Sequence, residues 1–211
     1  MLFDIDRDDP VWVKVAKLTL LEDEFKEMVV ADELLLKLWN DVDTNHNGLI
    51  GLGEWNAFVK RRYPIIDHKK PMNAAFIGAT QDQGVELFKD GGQATPVTER
   101  VLRKAAFKTF LQLMIKMTRL WYAYTEIDYE REDRVDFNMY KKGRRAFRGV
   151  LQMDNDVTVG AEIEAEFDEM DVGKDDGDGH DDGDGTITWT TLTEWWIARI
   201  DEDDVPWVPD P

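Results

Sequence analysis

Apolar residues recur at helical spacing along most of the chain, and this pattern predicts an all-α fold. Asp9 and Pro10 form a favourable N-cap and first-turn pair, so the first helix is expected to begin beside them. The apolar stripe that follows comprises Val11, Val15, Leu18, Phe25 and Met28. Spacings of three and four residues place such side chains on one side of a helix.

A long helix is predicted from about Thr98 to Ile127, because this segment contains neither Gly nor Pro. Its buried side is expected to comprise Phe107, Phe110, Leu111, Met114, Met117, Leu120, Trp121 and Tyr124. A stripe of this kind is typical of a core, which is the interpretation that we favour. Its Met and aromatic content is also found in grooves that bind partner proteins.

The twelve residues 43–54, DTNHNGLIGLGE, have the spacing of an EF-hand calcium loop. The predicted metal ligands are Asp43, Asn45, Asn47, the carbonyl oxygen of Leu49, and Glu54. Gly48 stands at the sixth position, where the chain must turn sharply. Since two of the side-chain ligands are amides rather than carboxylates, we expect a Kd for calcium of about 10⁻⁶–10⁻⁴ M. The alternative is a plain Asn/Gly turn between two helices.

A second possible metal site belongs to the last of four predicted helix–loop–helix units. Its loop begins at Asp171 and turns at Gly185, and it contains inserted residues rich in Asp and Gly. The candidate metal ligands of this loop are Asp171, Asp182 and Asp184. Thr191 takes the place of the closing Glu, so the alternative is a solvated acidic loop.

The second and third units are also degenerate. The third, residues 128–139, has neither a turn Gly nor a closing carboxylate and is expected to be metal-free. No ligand set can be read in the second. EF-hands pair through short strands at the eighth loop position, so we expect Ile50 to pair with Val97, and Val135 with Ile187.

These units predict EF-hand pairs in two lobes, with a long central helix and short β pairing between the loops. Residues 1–110 would form an N-terminal lobe with the intact loop and the degenerate second unit. Residues 111–211 would form a C-terminal lobe with the degenerate third and fourth units, the acidic insert and the acidic tail.

Composition narrows the range of functions. The chain has no Cys and no Ser, which removes disulfides, thiolate chemistry and serine nucleophiles. Its three His residues lack partners typical of acid–base catalysis, so an enzyme is not expected. The net charge of −18 disfavours nucleic acid as a partner. The basic stretch 99–150 is either a solvated helix surface, a surface neutralised by the acidic tail, or a docking surface for an acidic partner or anionic lipid.

The sequence also favours a cytoplasmic location. No apolar run is long enough to predict a transmembrane helix, and the acidic N-terminus lacks the apolar core of a signal peptide. Leu2 is incompatible with N-myristoylation. We therefore expect protein partners rather than a membrane span.

The order of these features resembles the calflagins, the flagellar calcium-binding proteins of trypanosomatids, over roughly residues 10–208. The resemblance is carried by the aromatic helix after the first loop, a degenerate second unit, a third unit beginning EID, and a fourth containing FDEMD and GTITW. It implies four EF-hands, a flagellar or ciliary location, calcium in the C-terminal hands and N-terminal acyl groups. This chain departs from that pattern, because Leu2 and the absence of Cys leave no acylation site and its fuller ligand set is in the first hand.

Two functions fit the sequence. The first is a calcium sensor or calcium-tuned adaptor with one intact site. The second is a structural EF-hand subunit of a larger flagellar or axonemal assembly, in which calcium is structural or absent. Trp207 in the tail would suit an anchor in a partner's pocket, or would pack against its own lobe.

Overall fold

The computed structural model describes residues 8–81, 100–153, 160–171 and 185–197, together with Phe3, Asp6 and the backbone of residues 88–89 and 93–94. Within these residues the fold is mostly helical. The helices are α1 (Val11–Val30), α2 (Asp32–Val42), α3 (Leu52–Arg62), α4 (Lys69–Gln81), α5 (Phe107–Ile127), α6 (Phe137–Val150), α7 (Gly160–Met170) and α8 (Trp189–Ile197). Short 3₁₀ turns occupy Pro64–Ile66 and Lys104–Ala106.

Short antiparallel strand pairs accompany the helices. The strands are β1 (Leu49–Gly51), β2 (Phe88–Lys89), β3 (Gln93–Ala94), β4 (Val101–Arg103), β5 (Arg134–Asp136) and β6 (Thr186–Thr188). β1 pairs with β4, β2 with β3, and β5 with β6. The second predicted strand pairing is confirmed, because Val135 lies directly opposite Ile187.

The first helix begins one residue later than the Asp9–Pro10 prediction. Pro10 is the N-cap residue, and no side chain caps the helix. The carboxylate of Asp9 instead accepts a hydrogen bond of 3.0 Å from Lys17 Nζ and one of 3.1 Å from the amide of Asp6. The buried residues of α1 are Leu18, Leu21, Phe25 and Val29. The other members of the predicted stripe, which are half-buried, are Val11, Val15 and Met28.

The prediction of one helix from Thr98 to Ile127 is wrong in its first part. Val101–Arg103 is the strand β4, a 3₁₀ turn follows, and α5 begins only at Phe107. Leu102, at the centre of β4, is fully buried opposite Ile50 of β1. Pairing with β1, much earlier in the chain, overrides the local preference for a helix. The absence of Gly and Pro does not reveal this pairing.

The apolar side predicted for this helix belongs to a core, as we expected. The members that are at most 1% exposed are Phe107, Phe110, Leu111, Met114, Met117, Leu120 and Tyr124. Trp121 is half-buried. Further buried residues lie on its other sides, among them Ile115, Tyr122 and Ile127, so α5 is enclosed over most of its surface.

The described residues divide into two compact units within α5, between Thr118 and Arg119. The sequence placed its lobe boundary between residues 110 and 111. The first unit contains α1 to α4, β1 to β4 and the start of α5, and the second contains the rest of α5, β5, β6 and α6 to α8. Among the described helices, none is both long and apolar enough to cross a membrane.

Aromatic rings form the centre of the first unit. Trp55 of α3 lies edge-on to Phe110 of α5, with ring centroids 4.8 Å apart, and Phe76 of α4 meets the same ring at 4.8 Å. Trp39 of α2 lies 5.1 Å from Phe107. Because α2 and α3 precede and follow β1, both helices next to this strand are anchored to α5.

The second unit has a comparable aromatic core. Trp189 of α8 lies edge-on to Trp121 of α5 at 5.3 Å. Phe167 of α7 contacts Phe137 and Tyr140 of α6 at 5.5 and 5.8 Å. These contacts hold the helices on either side of β5 and β6.

Candidate metal site

The predicted calcium loop begins at the end of α2 with a buried carboxylate. The amide of Asp43 donates a hydrogen bond of 2.8 Å to the carbonyl oxygen of Trp39, which continues the helix to this residue. The side chain of Asp43 turns back into the loop. Its Oδ1 accepts a bond of 3.2 Å from the amide of Asn47, and its Oδ2 accepts one of 2.9 Å from the amide of Gly48. Asp43 is only 3% exposed, so these amides replace much of its hydration.

Two residues with positive φ form the turn of this loop. His46 has φ 56° and Gly48 has φ 77°. The latter conformation favours Gly, as the sixth position of the sequence pattern requires. The two predicted amide ligands hold the turn through their oxygens. Oδ1 of Asn45 accepts a bond of 2.9 Å from the amide of Asn47, and Oδ1 of Asn47 accepts one of 2.8 Å from the amide of Leu49.

Glu54 closes the loop from the first turn of α3. Its Oε2 accepts a hydrogen bond of 3.0 Å from the amide of Gly51, the N-cap residue of α3. Its Oε1 accepts bonds from Asn45 Nδ2 at 3.0 Å and from Thr44 Oγ1 at 3.3 Å. The last predicted ligand is therefore in contact with the start of the same loop.

The donor set of this loop fits a hard cation such as Ca²⁺. Asp43 and Glu54 supply negative charge, Asn45 and Asn47 supply amide oxygens, and Leu49 supplies a carbonyl oxygen. The part of the chain that the structure describes contains no group of three or more His, Asp or Glu side chains arranged for a metal ion. This loop does not form such a group because two of its four side-chain ligands are amides. A mixed set of this kind binds calcium more weakly than one built from carboxylates.

The strand that leaves the turn has a different partner from the predicted one. Ile50 lies opposite Leu102 in the antiparallel β1–β4 pair, and both side chains are fully buried. The predicted partner, Val97, lies outside the described residues. The sequence predicted a β-branched partner for Ile50, whereas the partner is Leu102, five positions before Phe107, the first residue of α5.

The third loop has the same turn without the glycine. The amide of Asp128 donates to the carbonyl oxygen of Tyr124 at 2.8 Å. The carboxylate of Asp128 accepts bonds from the amides of Glu132 at 3.0 Å and Asp133 at 3.3 Å. Arg131 and Asp133 have φ of 60° and 59°. Non-glycine residues thus adopt the two left-handed conformations that His46 and Gly48 adopt in the first loop.

The third loop also lacks a closing carboxylate. Met139 stands where the first loop has Glu54, and it is buried in the core. Its amide donates a hydrogen bond of 2.8 Å to the side chain of Asp136, the N-cap residue of α6. The helix start is therefore held by a side chain of the loop itself.

The fourth loop closes across its insert. The amide of Asp171 donates to the carbonyl oxygen of Phe167 at 2.9 Å, and Asp171 Oδ2 accepts a bond of 2.9 Å from the amide of Gly185, whose φ is 73°. Gly185 thus bonds to Asp171 as Gly48 bonds to Asp43. The other two candidate ligands of this loop, Asp182 and Asp184, lie outside the described residues.

Two sets of hydrogen bonds made by Thr hydroxyl groups in these loops were not predicted. Thr44 bonds to Glu54, and nothing in the EF-hand pattern assigns a role to the second loop position. In the fourth loop, Thr188 and Thr191 cap each other at the start of α8. The spacing Thr-x-x-Thr was a possible signal, since it matches a capping box in which the second Thr replaces Glu.

Part of the basic stretch 99–150 is neutralised inside the second unit. Arg144 Nε lies 2.6 Å from Oε2 of Glu166 on α7, and Arg148 bonds to the other oxygen of the same carboxylate. These side chains are at most 12% exposed. The remaining basic residues of α6, which are exposed, are Lys141, Lys142 and Arg145. The acidic tail, which we considered as the neutralising partner, lies outside the described residues.

Comparison with protein-family models, with curated proteins and with solved structures finds no match for this chain. The EF-hand assignment and the resemblance to the calflagins therefore remain predictions that rest on the residues themselves.

Proposed function

We propose that this protein binds Ca²⁺ in an EF-hand loop at residues 43–54 and acts as a calcium sensor or calcium-tuned adaptor. The observation that carries the proposal is the position of the two carboxylates. Asp43 faces the turn through bonds to the amides of Asn47 and Gly48, and Glu54 reaches back to Asn45. A loop whose first and last residues both direct oxygens inward has the arrangement that a hard cation requires.

The turn supports the same proposal. Gly48 permits the left-handed conformation, and the oxygens of Asn45 and Asn47 are held by neighbouring amides. Such bonds fix the directions of the oxygens before a cation arrives and reduce the entropy cost of binding. Calcium would supply the charge that balances Asp43 and Glu54. The expected Kd remains about 10⁻⁶–10⁻⁴ M, because the set has two carboxylates.

The incoming and outgoing helices provide a means of response. Trp39 and Trp55 lie on α2 and α3, and their rings contact Phe107 and Phe110 on α5. A change in the angle between α2 and α3 would therefore alter aromatic packing on α5. A protein partner that contacts these helices would sense the change. We propose a protein partner, a non-enzymatic role and no nucleic-acid partner. A flagellar or ciliary location follows from the resemblance alone.

A structural role is the second candidate, and one observation favours it. In the loops of the second unit, Met139 and Thr191 stand where the first loop has Glu54, and neither carries a carboxylate. Asp136 caps the amide of Met139, and Thr188 and Thr191 cap each other. Such caps hold the helix starts without a metal ion. The second unit would then serve as a fixed scaffold, whether or not the first unit responds to calcium.

Isothermal calorimetry on protein stripped with chelator tests the calcium proposal. The wild type should bind one Ca²⁺ in the first loop with micromolar to submillimolar affinity. Glu54→Gln keeps the volume of the side chain but removes its charge, and it should weaken binding at least about tenfold. Glu33→Gln is a matched control, because Glu33 is an exposed residue in the first turn of α2. Equal affinities for the wild type and both variants would exclude Glu54 as a ligand.

A further inference from the structure

Oε1 of Glu54 is the point in the first loop where protein donors and a cation would compete. It accepts two hydrogen bonds, from Asn45 Nδ2 at 3.0 Å and from Thr44 Oγ1 at 3.3 Å. A carboxylate oxygen has two lone pairs, and these two bonds use both of them. A cation that is to bind Oε1 must displace at least one donor.

The orientation of Asn45 follows from its two contacts. Its Oδ1 accepts a bond of 2.9 Å from the amide of Asn47, so its nitrogen must face Glu54. The reversed amide would direct an oxygen at the carboxylate and an NH₂ group at an N–H group, and both contacts would be repulsive. Asn45 is thus a donor to Glu54 in this structure, although it is also a predicted ligand through its oxygen.

Thr44 is different, because it has no place in the predicted ligand set. Its side chain is exposed, and its contact with Glu54 is the longer of the two bonds to Oε1. The longer bond is the weaker one and is expected to be lost first. Loss of the Thr44 hydroxyl would also leave Asn45 in place to orient Glu54.

We propose that Thr44 sets the calcium affinity of the first loop by donating to Glu54 and so competing with the cation for Oε1. The inference rests on the proposed calcium site. Thr44 is a positioning residue that acts through Glu54 and is not itself a predicted ligand. Its hydrogen bond stabilises the metal-free loop, and the same bond must break when Glu54 binds calcium through both oxygens.

Competition between the Thr44 hydroxyl and calcium predicts a result that a purely structural role of Thr44 does not. Removing the hydroxyl should destabilise the metal-free protein and at the same time tighten calcium binding. A residue that merely supported the loop would change both quantities in the unfavourable direction. The two effects of opposite sign therefore distinguish competition from general support of the fold.

The experiment compares the wild-type chain with Thr44→Val and Thr44→Ser. Val keeps the branched shape of Thr without its hydroxyl, and Ser keeps the hydroxyl. Calcium affinity is measured by calorimetry with CaCl₂, and thermal unfolding is followed in chelator. We expect Thr44→Val to bind calcium about two- to fivefold more tightly, the ratio for one weak exposed hydrogen bond. Its metal-free Tm should fall by about 1–3 °C. Thr44→Ser should keep the wild-type affinity.

Unchanged or weaker binding by Thr44→Val, with normal binding by the wild type, would overturn this inference and leave the calcium site intact. Equal tightening by Thr44→Ser would also overturn it, since the hydroxyl would not be the cause. If the wild type shows no binding that Glu54→Gln weakens, the proposed function and this inference fail together.

Discussion

Thr188 and Thr191 cap each other at the start of α8. The amide of Thr188 donates a hydrogen bond of 2.9 Å to Oγ1 of Thr191, and the amide of Thr191 donates one of 3.2 Å to Oγ1 of Thr188. Two N–H groups that a helix start leaves without intrahelical partners are satisfied in this way. In a loop of the EF-hand type, Thr191 would stand where the closing Glu of a calcium site is expected.

Replacing Thr191 by Val should therefore destabilise the second unit, and it changes none of the predicted metal ligands. The loss of a cap costs about 0.5–2 kcal/mol of unfolding free energy. Urea unfolding followed by circular dichroism in chelator measures this cost. Thr190→Val is the control, because Thr190 is the exposed neighbour on the same helix. Equal effects of the two substitutions would mean that the cap contributes nothing.

Glu166 should contribute strongly to the stability of the second unit. It bonds to both Arg144 and Arg148, and all three side chains are nearly buried. Glu166→Gln removes the charge that balances two buried guanidinium groups. Such a loss costs about 3 kcal/mol.

The control for this substitution is Glu164→Gln, which changes an exposed residue on the same helix. Chemical unfolding should show a loss for Glu166→Gln and a change within about 0.5 kcal/mol for Glu164→Gln. Similar small changes for both variants would contradict a stabilising role for the pair of arginines and Glu166.

Gly143 allows α6 to approach the end of α5. A Cβ atom at this residue would lie 2.5 Å from the carbonyl oxygen of Glu126 and 2.9 Å from Ile127 Cγ2. Gly143→Ala should therefore cost about 1–3 kcal/mol, because the backbone must move. Gly149, on the same helix, has no atom within 4 Å of such a Cβ. Gly149→Ala should instead gain up to about 1 kcal/mol from helix propensity. Thermal unfolding of both variants tests the contrast, and a gain for Gly143→Ala would contradict it.

His68 should make the folding stability depend on pH. Burial, with a smaller effect of the charge of Lys14, lowers its pKa to about 4. The value in an unfolded chain is about 6.5, so the unfolded state binds more protons below that pH. The free energy of unfolding is therefore unaffected by this titration above pH 6.5, and it decreases as the pH falls from 6.5 towards 4.

The free energy of unfolding should fall by about 1–3 kcal/mol between pH 6.5 and pH 4, since His68 is half-buried rather than fully buried. The comparison is between the wild type and His68→Gln in urea unfolding at pH 7, 6, 5 and 4.5. The stability of the wild type relative to the variant should decrease as the pH falls. A constant difference between the two proteins would show that His68 has an ordinary pKa.

The sequence predicted those features that depend on local spacing. Asp43 and Gly48 lie in the turn that the loop pattern requires, and the amide of Gly48 bonds to Asp43. Val135 lies opposite Ile187 although many residues separate them. The glycine at the sixth loop position predicts the turn in the first case. The apolar residues at the eighth loop positions predict the strand pairing in the second.

The errors concern contacts that no local pattern specifies. Val101–Arg103 looked helical, but it forms a strand because β1 offers a partner there. Asp9 looked like an N-cap, but its carboxylate accepts a hydrogen bond from Lys17, eight residues later in the chain. The hydrogen bond from Thr44 to Glu54, ten positions later, was not predicted, because it depends on where the Glu54 side chain lies. Contacts between side chains of this kind require the three-dimensional arrangement.

The most direct test of the calcium proposal is to locate the bound ion by nuclear magnetic resonance. Calcium is added to ¹⁵N-labelled protein in chelator-free buffer, and amide shifts are followed to saturation. We expect the largest shifts between Asp43 and Glu54, above all at Gly48, whose amide bonds to the carboxylate of Asp43, a predicted ligand. Smaller shifts should extend to Leu102 across the strand pair. Saturable shifts confined to Asp171 and Gly185, or no saturable shift in the first loop, would contradict the proposal.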